Sequence, residues 1–239
     1  MVVEILFQEV CGLYGDSQNP TYLQATLPDA EFVFTKLTDT PYFVENTPDL
    51  VYIGCMSEST QRSVIKKLLP YKERICQLIE DGMPFLATGN ASEIFAKEIN
   101  YLTEKITVNG LGFFDLTVKT DLFNRHNAMV LGELDDMKIV GFRSQFSFLY
   151  GNNENCYFIN CLRGFGINKE SKLEGMRHKN LICTQMIGPI LPLNPLFCEY
   201  LIGLAGVEAK AAYREAAMDA YEQRLTEFMD PKVDFTIHA

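Results

Sequence analysis

The sequence predicts an α/β fold: a three-layer sandwich with a mixed, mostly parallel central sheet and helices on both faces. Three observations predict it. Short apolar runs of strand length alternate with longer stretches whose apolar residues recur at helical spacing. One stretch, Asp81 to Phe95 (DGMPFLATGNASEIF), has the grammar of a buried strand, a tight turn and a helix. Of the 239 residues, 47% are hydrophobic, which suffices for a substantial core.

Taken in order, residues 2–10 read as the first strand. Gly12, Gly15, Asp16, Asn19 and Pro20 then mark a turn, with Asp16 and Asn19 as turn and cap residues and a short helix starting at Tyr22. Residues 32–37 form a second strand, and residues 50–53, behind Pro48, a third. Ser57 or Ser59 caps the next helix, whose apolar face runs through Val64, Leu68, Tyr71, Ile75, Leu78 and Ile79, with a break at Pro70. Pro84 closes the helical stretch. Phe85, Leu86 and Ala87 read as a strand covered on both faces. Gly89 can take the positive φ of a sharp turn, and a helix is expected from Ala91 onward. Residues 114–120 and 129–134 are strands flanking a loop at 121–127. Residues 139–143 and 157–161 add two more, close enough together for antiparallel pairing. A further strand begins at Leu181. Pro195 opens a helix ending near Gly206, and residues 208–228 form the clearest helix, with Tyr213, Ala217, Tyr221, Leu225 and Phe228 on one face. The expected division is a domain at 1–206 followed by an amphipathic helix and tail at 207–239.

The net charge of −10 and the lack of a clustered basic face argue against nucleic-acid binding. No run approaches the roughly 18–20 apolar residues of a membrane span, and the N-terminus lacks the pattern of a signal peptide. A soluble cytoplasmic protein is expected, with no membrane contact. Seven cysteines at irregular spacing, with no CxxC, read as reduced thiols. With three histidines (His126, His178 and His238), zinc sites and histidine catalysis are both limited. No metal or cofactor is expected.

The DGMP-strand-elbow stretch, the Leu13-Tyr14-Gly15-Asp16 segment with Asn19, the Gly110-Leu111-Gly112 segment, and Lys179-Asn180-Leu181 followed by Gly188 through Pro192 together resemble class I glutamine amidotransferases. The resemblance is to the CobB/CobQ type, and most of all to GatD-like proteins. It runs over residues 3–205 and implies a flavodoxin-like sandwich. It also implies a cysteine nucleophile at the elbow and a histidine base before GPILP. Counting without a gap, those slots hold Gly89 and Ile187. In the family, the loop after the third strand is glycine-rich and helps form the oxyanion hole; here only Gly54 remains, followed by Cys55 and Met56. Arg125 falls in register with an arginine that holds the substrate glutamine. Arg143, Ser144 and Gln145 stand where the family has Glu-Asn-His.

Amide hydrolysis by a cysteine needs a thiolate, a base and an oxyanion hole. The resemblance therefore implies a degenerate amidotransferase, either a non-catalytic subunit or a ligand-binding pseudoenzyme. Its implied partner is a Mur-ligase-like protein or other synthetase, in the amidation of cell-wall precursors. Gly54, Cys55, Asn90, Ala91, Arg125 and Gln145 are the candidate pocket, for a small carboxylate or an amino acid. The alternative is an active amidotransferase or hydrolase with a relocated nucleophile. Cys55 and Cys183 are the candidates, ahead of Thr88 and Ser92, which flank the slot but face elsewhere.

Overall fold

The computed structural model describes residues 1–237; His238 lies outside them. A six-stranded sheet organises the fold. Its strands, in spatial order, are Met176–His178, Leu181–Thr184, Phe85–Thr88, Leu50–Ile53, Val2–Leu6 and Glu31–Thr35. The last five are mutually parallel and only the Met176–His178 edge runs antiparallel.

Side-chain alternation along these strands builds the two outer layers. Val51, Ile53, Phe85 and Ala87 face the helices Glu58–Leu68 and Lys72–Glu80, through Val64, Leu68, Ile75 and Ile79. Leu50, Tyr52, Leu86 and Ile182 face the other way, onto Leu23 of the helix Gln18–Thr26 and Phe197 and Leu201 of Pro195–Leu204. Ser57 caps its helix by accepting from the Thr60 N–H at 3.2 Å. Pro70 sits in a 3₁₀ turn that breaks the helical stretch in two.

The middle of the chain builds two further sheets. One orders Ser147–Tyr150, Phe114–Thr120, Ala96–Tyr101 and Ile106–Asn109. The other is built on the antiparallel hairpin of His126–Leu134 with Met137–Gln145, in register from His126 opposite Gln145 to Leu134 opposite Met137. This hairpin lays its second strand beside the end of the central sheet, where Phe142 bridges to Ile187.

Several expected boundaries change by a few residues, the strand expected at 157–161 running over Ile159–Arg163 among them, and four changes bear on the packing. The first strand stops at Leu6 rather than residue 10, because Phe7 turns to φ 57° and its neighbours form turns. The first helix begins at Gln18, ahead of Tyr22. The long C-terminal helix begins at Arg214 rather than 208, after Tyr213 at φ 52°. Tyr213 is then 79% exposed, and Tyr221 is the member of the expected face that is fully buried, against Leu131, Val140 and Phe235. Most consequentially, the segment after the elbow is a seven-residue 3₁₀ turn, Gly89–Phe95, running directly into the strand Ala96–Tyr101. Residues 91–95 are all buried, so the segment has no solvent face of the kind an amphipathic surface helix presents.

Among the described residues, no helix is long and apolar enough to cross a membrane.

Candidate functional site

The C-terminal ends of the parallel strands are where open α/β sheets bind ligands. Here Thr88 ends its strand in extended backbone and Gly89 turns the chain at φ 58°. A Cβ at Gly89 would stand 2.7 Å from Cys55 Cβ, 2.8 Å from Cys55 Sγ and 2.8 Å from Ile187 Cγ2. The two slots read from the sequence are therefore neighbours, but they do not face each other across open space. Ile187 lies 1% exposed behind the wall, held by its N–H donating to the Phe142 carbonyl at 2.9 Å. Cys55 and Ile187 fill the room that a side chain at 89 would need.

The loop after Ile53 is also capped from within. The Cys55 N–H donates to Asp16 Oδ2 at 2.8 Å, and the Met56 N–H donates to Asn90 Oδ1 at 2.9 Å. The Asn90 amide returns a bond to the Met56 carbonyl at 2.8 Å. Two N–H groups of this loop are thus spent on side chains. Asp16 is not the turn and cap residue that the sequence suggests. It is fully buried and also accepts from Thr88 Oγ1 at 2.5 Å and Asn19 Nδ2 at 3.2 Å. Burial pushes its carboxyl up to about 6, against the lowering effect of the Thr88 and Cys55 hydrogen bonds.

A cleft of about 230 Å³ opens over the elbow, walled in part by Cys55, Gly89, Asn90, Glu93, Arg125 and Gln145. Two expected pocket residues do not reach it. Gly54 packs behind, where a Cβ would stand 2.7 Å from the Cys11 carbonyl, and Ala91 is fully buried in the core. Arg125 is exposed at the mouth, its guanidinium 4.6 Å from the Phe146 ring centroid and 5.9 Å from that of Tyr14. Gln145 is 9% exposed. Its Nε2 donates to the Ser147 carbonyl, and its Oε1 has no hydrogen-bond partner among the described residues.

Glu93 is the wall residue that sequence reasoning missed. It is 1% exposed, and its carboxylate accepts from Gln61 Nε2 at 2.9 Å, from Gln185 Nε2 at 3.4 Å and from the Ser147 hydroxyl. Burial pushes its carboxyl up to about 7, with those three hydrogen bonds opposing the shift. Gln185 connects it to a buried ion pair: Arg143 donates to Gln185 Oε1 at 2.7 Å and lies 3.4 Å from Glu174. The signal in the sequence was a carboxylate directly before Ile94 and Phe95, in a segment otherwise small and apolar.

The thiols are poorly placed for attack. Cys55 is on the wall but 4% exposed, and burial, together with the Asp16, Glu93 and Glu58 charges, raises its pKa far above the usual thiol range. Cys183 is off the wall, opposite Ala87 in the central sheet and fully buried, with its pKa likewise raised by burial. Ile187 lies beyond the Leu181–Thr184 strand, so Cys183 and Ile187 share no strand face. His178 pairs with Glu80 at 2.6 Å, at the end of the sheet opposite Gly89. His126 stacks on Phe148 with ring centroids 4.5 Å apart and is not part of the wall. Among the described residues, no group of three or more His, Cys, Asp or Glu side chains is arranged to hold a metal.

No protein-family model matches the chain. Over 156 residues it is 33% identical to the GatD subunit of the lipid II isoglutaminyl synthase (glutamine-hydrolyzing) of Staphylococcus aureus, a match covering 64% of this chain and 62% of that subunit. The chain thus spans less than two thirds of that relative's length. A crystal structure of a glutamine amidotransferase superposes with a TM-score of 0.58 at 16% identity, over 87% of this chain and 100% of the other, which establishes the shared fold.

Proposed function

For this class I glutamine amidotransferase-like domain close to GatD, we propose a non-catalytic role: it does not hydrolyse glutamine, and it serves as a ligand-binding subunit. One observation carries the reading. The position where a nucleophile would project from the elbow is packed solid by Cys55 and Ile187. The rest of the site agrees. Isoleucine in the base slot cannot take a proton. The Cys55 and Met56 N–H groups, candidates for oxyanion donors, are already bonded to Asp16 and Asn90. Each such donor contributes about 3 kcal/mol to a reaction of this type.

The relative is named as a subunit of a synthase. By that analogy we assign this chain a synthetase partner of the Mur-ligase-like type and a place in cell-wall precursor amidation, in the cytoplasm. Co-purification with the product of a neighbouring ligase-like gene tests the pairing, and a monomer that ignores that protein refutes it.

A second reading is favoured by the place of Cys55, whose sulfur lies on the cleft wall beside Gly89. Acting as a relocated nucleophile, it would need a thiolate, which burial and the Asp16 charge oppose. A glutamine-mimicking chloroketone decides between the two. The non-catalytic reading predicts no adduct on Cys55 in the folded protein, and a glutamine-protectable adduct there would replace it.

A further inference from the structure

The two edges of the central sheet differ. The Met176–His178 edge is covered where the Arg177 N–H donates to the Cys156 carbonyl. The Glu31–Thr35 edge is open. It pairs only with Val2–Leu6, in an unbroken parallel register from Val2 opposite Glu31 to Leu6 opposite Thr35. The Glu31 N–H donates inward to the Met1 carbonyl, and the Thr35 carbonyl accepts from the Phe7 N–H. Backbone groups of successive residues point to opposite sides of a strand. Val33 therefore points inward as well, and Phe32 and Phe34 turn their N–H and C=O groups outward. No described residue bonds to those four groups on the outer side. The strand has no bulge and no lysine or proline between its ends, the devices that ordinarily keep an edge from pairing. Phe34 is 44% exposed, and Phe32 and Val33 are half-buried.

A second copy of the same strand satisfies all four groups in a single register. With a twofold axis through Val33, Phe32 of one copy stands opposite Phe34 of the other, and each such pair exchanges two hydrogen bonds. A shift of two residues either way would set a phenylalanine against Ala30 or Lys36. Their N–H groups are already engaged, Ala30 with the Leu27 carbonyl and Lys36 with Asp39 Oδ2. Residues directly opposite share a face, so the register also makes two aromatic pairs, and Val33 meets its copy on the other face. Charge fits the same arrangement. The strand is acidic at its start (Asp29, Glu31) and basic just past its end (Lys36), all three exposed. None of the three is in an ion pair among the described residues. Antiparallel pairing sets each acidic start against the other copy's basic end. We propose that the Glu31–Thr35 edge is a homodimer interface, joining two six-stranded sheets into one continuous sheet. The strands Leu50–Ile53 and Val2–Leu6 lie between this edge and Phe85–Thr88, and no residue of the seam lines the cleft. A seam of this length is small beside a standard interface, so the dimer should dissociate on the order of 1–100 µM.

Sedimentation velocity on the full chain, at concentrations spanning that range, tests the proposal. The mass should rise from 27.1 kDa toward twice that value and stop there. Phe34→Lys puts a charge opposite the other copy's Phe32 and should weaken the dimer at least ~30-fold, with folding checked by circular dichroism. Val33→Cys, in a Cys76→Ser background, sets two thiols at a pair whose Cα atoms stand about 4.5 Å apart, within disulfide reach. Diamide should convert it to a covalent dimer and leave the Cys76→Ser parent uncrosslinked; this decides the matter if Phe34→Lys does not fold. A wild type that stays at 27.1 kDa throughout would overturn the proposal. So would undiminished association in a folded Phe34→Lys, no covalent dimer from Val33→Cys, or assembly that continues past the dimer. A chain that stays monomeric while an extended peptide binds along 31–35 would overturn it too, and give the edge to a partner's strand.

Discussion

Gly89→Cys supplies the thiol that an amidotransferase elbow requires, and the structure gives the cost of doing so. The backbone at φ 58° is left-handed, which costs a residue bearing a Cβ about 1–2 kcal/mol. The new Cβ would meet Cys55 Cβ, Cys55 Sγ and Ile187 Cγ2, all at 2.7–2.8 Å, where no heavy-atom contact is sustainable. Overpacking of a filled core adds about 1–3 kcal/mol. The sum, about 2–5 kcal/mol, lowers the melting temperature by about 4–20 °C for a chain of this size. Differential scanning calorimetry measures it, and ammonia release from glutamine, measured on the same sample, should stay at the buffer rate. Adding Cys55→Gly removes two of the three blocking atoms and should recover part of the lost stability. A Gly89→Cys protein melting within about 1 °C of wild type would refute the claim that the slot is packed shut.

Other perturbations follow from the same geometry. Ile187→His places a polar ring in a sealed apolar position and should cost about 1–3 kcal/mol in a urea melt, with no gain of glutaminase activity. Asp16→Ala leaves the Cys55 N–H without its acceptor and the Thr88 hydroxyl with only that of Tyr52, and should cost about 1–3 kcal/mol for the buried N–H, again read from urea melts; a variant as stable as wild type would remove Asp16 from the centre of that network. Burial raises Glu93 from 4.5 to about 7, so the folded state binds the proton more tightly than the unfolded chain does. Its contribution to stability is therefore greatest at low pH and falls as pH rises through that window, by at most about 3 kcal/mol. Melts of wild type and Glu93→Gln across the window should differ with this sign, and a parallel pair of curves would contradict it. In thiol labelling followed by mass spectrometry, exposed Cys76 should react first and half-buried Cys156 next, while Cys55 and Cys183 should wait for unfolding.

The parts of this molecule that were legible in the sequence are those where one local rule decides the outcome. The strands at 50–53 and 85–87 are short apolar runs bounded by proline or glycine; the first appears with those limits and the second runs one residue further, to Thr88. Gly89 has the positive φ that a sharp turn after a strand requires. Gly89 and Ile187, the positions a gapless count gives for the two slots, lie close enough that a Cβ at 89 would meet the Ile187 side chain. What was not legible depends on how distant segments pack. Glu93 reads as an ordinary helical carboxylate until the segment proves to be a 3₁₀ turn threaded into the core, where Gln61 and Ser147, 32 and 54 residues away, satisfy it. Asp16 looks like a turn residue, and only the fold brings it to Cys55 and Thr88. The clash at Gly89 is likewise invisible in a motif, which records that cysteine is missing but not that its space has been taken.

The central claim is that this fold no longer hydrolyses glutamine, and ammonia release by the purified wild-type chain tests it most directly. The account predicts a rate equal to the buffer blank, with or without Cys55→Ala. Turnover above the blank in the wild type, lost in Cys55→Ala, would contradict it and make Cys55 the nucleophile.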